Sequence, residues 1–170
     1  MSPYTMFWQQ FETSGLGAMI AGSEWGFPLI EVCHVIALVT VFGTIAFMDL
    51  RMIGLVSRNS AITAVSRETL PFTWGAFAIA AVTGVLMFIS KASSYMVNPW
   101  FLAKMCLIAI AGLNMMLFHF ITWKTVKDWD NAVVIPTSVK LAGFMSISFW
   151  LVILFCGRMI GFTLGIYVPS

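Results

Sequence analysis

With 170 residues, 60% of them hydrophobic and only 9% charged, the chain lacks the polar side chains to cover a water-facing surface, for which soluble domains use roughly 25% charged residues. The net charge of +2 follows from membrane topology and points to no nucleic acid. Cys33, Cys106 and Cys156 all fall in apolar stretches and give no disulfide framework. These features define an all-α integral membrane protein, a single domain over residues 1–170 built as a four-transmembrane-helix bundle with a short interfacial segment at its N-terminal end.

Residues 1–27 contain no Lys or Arg and carry Gln9, Gln10, Glu12 and Glu24 among Tyr4, Phe7, Trp8 and Phe11. That pattern excludes a cleavable signal and predicts a short helix in the headgroup plane. Apolar runs of about 20 residues, the length that spans the hydrocarbon core, then predict spans at 28–50, 71–90, 99–123 and 139–162. The first starts at Pro28, just after Trp25, carries Glu31, Cys33 and His34, and closes with Asp49 and Arg51 as boundary anchors. A polar connection follows, through Arg58, Arg67 and Glu68, with room for a short surface helix.

The second span starts at Pro71 and sets Ala76, Ala80 and Gly84 at four-residue spacing, which permits close helix approach and reads as scaffold. Asn98-Pro99-Trp100 is a stop followed by a helix start and an aromatic anchor. The third span carries Lys104, Cys106, Asn114 and His119. The connection 124–140, with Pro136 and mixed charges, reads as solvated. The fourth span ends in Gly157-Arg158, with Gly161 and Gly165 at four-residue spacing, a face suited to packing within the bundle or to a homo-oligomer.

Arg51, Arg58, Arg67, Lys124, Lys127 and Lys140 flank the connections after the first and third spans. The positive-inside rule therefore sets both termini on the non-cytoplasmic side of a bacterial inner membrane, with the lipid bilayer as the main partner. His34 lies six residues after Pro28 and Lys104 five after Pro99, which puts each about 8 Å below the outer helix ends. Glu31, Cys33, Cys106, Cys156, Arg158, Met87, Met105 and Met159 belong to the same layer. His119 lies deeper along its helix, roughly 20 Å from His34, too far for the two to share one haem within a protomer.

Ionisable groups inside a span need a partner or a ligand. Haem b fits that need. His34 would be an axial ligand, Lys104 or a methionine would stand opposite or leave the position open, Arg158 would neutralise propionates, and Glu31 would orient His34 across one helical turn. His119 would serve a second cofactor or none. Such a protein serves electron transfer or a redox reaction with a redox partner. The competing metal reading takes His34 with the cysteines and methionines as a Cu(I) set in a copper-handling or transport protein. The bland alternative is a charge network of Glu31, Lys104 and Arg158 that specifies assembly of a non-catalytic subunit, with the cysteines as packing residues.

Pro28, Glu31 and His34, followed by Asp49 to Gly54 and then by Phe101, Lys104, Gly157 and Arg158, resemble the pattern of an uncharacterised bacterial family of four-helix membrane proteins with a P-x-x-E-x-x-H first-helix signature. More distantly, a His in the first helix with a Lys early in the third is similar to the copper-resistance D family and to the membrane-bound, haem-containing protoporphyrinogen oxidases. The resemblance implies a bundle able to hold a porphyrin or a metal near the external side.

Overall fold

In hydrocarbon the backbone of an apolar run can bond only to itself, so each run forms a helix. The computed structural model describes residues 3–57, 59–130 and 135–167; among these it is 86% helical with no strand. Arg58 and Ser170 lie outside the described residues. Two short helices, α1 (Pro3–Glu12) and α2 (Gly15–Gly22), precede α3 (Gly26–Ile53), α4 (Ile62–Ser90), the short α5 (Ala92–Met96) and α6 (Pro99–Leu117). A π-helical turn (Phe118–Thr122), a 3₁₀ turn (Trp123–Thr125) and α7 (Val126–Trp129) continue α6, and α8 (Thr137–Thr163) follows. The four helices that begin at Gly26, Ile62, Pro99 and Thr137 are long and apolar enough to cross a membrane. Their outward faces are apolar as well: Val35, Ile36 and Val39 on α3 are each more than half exposed, a surface suited to lipid and not to water.

The second long helix starts at Ile62, not at Pro71, and the expected polar connection is correspondingly short. Asp130 is the cause. Its Oδ1 accepts the Thr63 amide proton (2.8 Å), its Oδ2 accepts the Thr63 hydroxyl (2.6 Å), and its backbone carbonyl accepts from the Ile62 amide. These acceptors satisfy first-turn amides that have no intrahelical partner, so the helix begins well before the proline. Pro71 then sits inside α4, where its missing N–H withdraws one bond from the ladder.

The chain divides into two compact units. Met1–Val39, Ala76–Lys104 and Phe155–Ser170 form the first, Thr40–Gly75 and Met105–Leu154 the second. In the first, α1 packs on the segment around α5: the Glu12 carboxylate accepts from the Ser93 amide (2.7 Å) and hydroxyl (2.6 Å), and Trp8 meets Phe88 edge-on, which in turn stacks on Phe101. The expected headgroup-plane helix is thus a pair of helices, the first of them fastened to this turn.

Asn98 anchors the same unit. It is fully buried; its Oδ1 accepts from the Trp100 amide (3.0 Å), which caps α6, while its Nδ2 donates to Thr163 Oγ1 on α8 (3.0 Å). Asn98→Ala removes a cap and leaves Thr163 short of a partner, and it is expected to cost about 2 kcal/mol. A fall in the thermal midpoint in detergent, with an unchanged helical spectrum, is the expected result.

In the second unit, the connection after α7 is not a solvated loop in its described part. Trp129, Ile135 and Val139 are buried with Met52, Ile62 and Phe118 in one apolar cluster. Arg51 is 2% exposed, and its Nε and Nη2 both donate to the Ser60 carbonyl (2.9 and 2.7 Å), within the field of Asp130. Arg51 is therefore buried instead of lying at the membrane boundary, because a neighbouring segment supplies its acceptor, and Asp49 is buried as well.

Candidate functional site

The first unit contains His34, Lys104, Cys156 and Glu31, and brings Lys104 near both His34 and Cys156. His34, half-buried on α3, turns its ring onto α4. Its Nδ1 lies 2.9 Å from Thr83 Oγ1, and the Ala80 carbonyl also reaches the ring. Gly84 makes room for it, since a Cβ there would meet His34 Cε1 at 3.1 Å. The small-residue stripe of α4 is thus the seat of the imidazole rather than scaffold alone.

The hydroxyl of Thr83 favours one tautomer. It donates to the Ile79 carbonyl at 2.7 Å, the usual bond of a helical Thr to the preceding turn. Its proton being committed, it accepts from His34 Nδ1–H. In that tautomer Nε2 carries the lone pair. An imidazole held by Nδ1 with Nε2 free is the form in which histidine binds a metal.

Lys104, half-buried on α6, exerts its charge on His34 and lies near Cys156, which is buried; its Nζ would be 3.7 Å from a Cβ at Gly157. Glu31 does not orient His34. It is exposed, and its charge falls on Tyr95. Arg158 is exposed and lies over the Phe162 ring at 4.4 Å. The expected charge network of Glu31, Lys104 and Arg158 is thus replaced by separate contacts. Met87 and Met159 belong to this unit, whereas Met105, Cys106 and His119 belong to the other. His119 is exposed, stacks on Trp123 (5.5 Å, 22°) and contacts the Met115 carbonyl (3.2 Å), within the π-helical turn.

Cys33 and Cys106 are exposed while Cys156 is buried, and among the described residues no group of three or more His, Cys, Asp or Glu side chains is placed to hold a metal ion. Thr83 and Tyr95 were not singled out by sequence. The position of Thr83, one residue before Gly84 and on the face that receives His34, was the available signal.

Tyr95, in α5 outside the spans, is buried, and loss of water together with the Glu31 charge pushes its phenol up to about 12 from the ordinary 10. The folded protein therefore holds this proton more tightly than the unfolded chain does. The resulting stabilisation, at most about 2–3 kcal/mol, is complete below pH 10 and lost between pH 10 and 12. Between pH 10 and 12 the thermal midpoint of the wild type is expected to fall relative to that of Tyr95→Phe, which has no phenol to titrate and lacks this alkaline decline.

The fold and this site define a multi-pass membrane protein that presents a half-buried histidine, bonded to Thr83, beside an intramembrane lysine. Residues 7–163 match the family described as "Family of unknown function (DUF6644)", and the chain belongs to that family. Neither the curated proteins nor the solved structures provide a match.

Proposed function

We propose that this protein binds haem b in a bacterial inner membrane and serves electron transfer or a redox reaction there. The observation that carries the reading is His34: Thr83 holds Nδ1 and Gly84 leaves room for the ring, the arrangement in which Nε2 would ligate iron. Bound haem would supply one-electron chemistry. The chain's own residues would hold it through His34, keep the imidazole in its ligating tautomer through Thr83, and set positive charge nearby through Lys104, with exposed Arg158 available to a propionate.

The visible spectrum and metal content of the purified protein test the reading. A Soret band with stoichiometric iron is expected. Colourless protein with stoichiometric copper would replace it with copper handling, and protein with neither would make this an assembly subunit.

Basic residues after α3 and around α7 support an orientation with both termini away from the cytoplasm. A reporter fused after Ser170 is expected to behave as non-cytoplasmic. The Gly157, Gly161 and Gly165 spacing supports self-association, and a redox partner follows from the electron-transfer role.

A further inference from the structure

Asp49 lies in a membrane-spanning helix, outside the His34 region, and is 5% exposed. Its burial comes from α8. Gly143 there allows a close backbone approach, since a Cβ would lie 3.0 Å from the Asp49 carbonyl oxygen, and Ser146, one turn on, is a polar neighbour of the carboxyl. Oδ2 is buried and, among the described residues, has no hydrogen-bond partner. Among the described residues no cation pairs with it. Arg51, two residues on, spends its guanidinium on the Ser60 carbonyl and in the field of Asp130. The other charged side chains described in this unit, Arg67, Glu68, Lys124, Lys127, Asp128 and Lys140, are exposed, as is His119.

We propose that Asp49 is a proton-binding site within the membrane, a carboxyl that takes up and releases a proton while staying in its buried position. An anion with one unpartnered oxygen and no counter-charge is costly in apolar surroundings, so the site accommodates the neutral acid. The Ser146 hydroxyl is both donor and acceptor and therefore serves either form, accepting from the acid or donating to the carboxylate. The reaction is the simple addition of H⁺ to the carboxylate. It changes the charge of the site by one and needs no co-reactant.

Infrared spectroscopy of the protein in liposomes tests this without reference to any cofactor. The C=O stretch of a protonated carboxyl is expected in the wild type, shifted in D₂O, absent in Asp49→Asn and displaced in Asp49→Glu. Its amplitude is expected to fall reversibly as pH rises across a range in which the helical amide band is constant. A spectrum with no such band assignable to Asp49, by loss in Asp49→Asn or by displacement in Asp49→Glu should the first variant fail to fold, overturns the proposal. A band that does not change with pH also overturns it, because the residue would then be a permanently neutral packing acid.

Discussion

On the proposed haem reading, replacing His34 with alanine is expected to remove the Soret absorbance and the bound iron, a loss of at least about tenfold in haem content, while the helical spectrum persists. Alanine deletes the imidazole and leaves Thr83 bonded to Ile79 as before. Thr83→Val is the finer variant. It keeps the shape and removes the acceptor that favours this tautomer, and partners of that kind change metal affinity by about 10–100-fold. Reduced affinity together with a shifted reduction potential is the expected signature of a positioning residue; an unchanged potential would show that Thr83 merely packs. Gly84→Val works from the other side, because its Cβ would begin 3.1 Å from His34 Cε1 and must push the ring off its seat. Retained absorbance in His34→Ala would end the ligand assignment.

Arg51→Met is expected to be the most destabilising substitution remote from that region, by about 3–4 kcal/mol. Methionine preserves much of the apolar stem. It deletes both bonds to the Ser60 carbonyl and strips Asp130 of its nearby positive charge, while Asp130 still has to cap α4 through Thr63. Asp130→Asn, which keeps an acceptor for the Thr63 amide, is expected to cost less, about 1–2 kcal/mol. The measurement is the unfolding midpoint of each variant and of the double variant. Additive effects would show that the two residues act separately, whereas coupling shows a shared network. An unchanged midpoint in Arg51→Met would return the residue to the role of a membrane-boundary anchor.

The four long helices were legible because hydropathy reports directly on what a lipid environment demands, and His34 was legible because an imidazole in such a run is conspicuous. What was hidden depended on partners remote in sequence. Pro71 looked like a helix start because the acceptors that start α4 earlier come from Asp130. The connection before α8 looked solvated because its charges are visible in the sequence, while the burial of Trp129, Ile135 and Val139 is a property of packing. Glu31 stood at the right spacing to orient His34, yet the ring faces α4, and Thr83 takes that role. A threonine inside an apolar helix ordinarily bonds its own preceding turn, so nothing in the sequence marked it.

The two carboxylate clasps also bear on how the chain is put together during synthesis. Glu12 waits for Ser93, 81 residues later, and the first turn of α4 waits for Asp130, 67 residues after Thr63. Each closes only after intervening spans have been made and inserted. Nascent chains arrested before Asp130 emerges therefore leave the Ile62 and Thr63 amides without these acceptors, and capping of that helix is a late event in biogenesis.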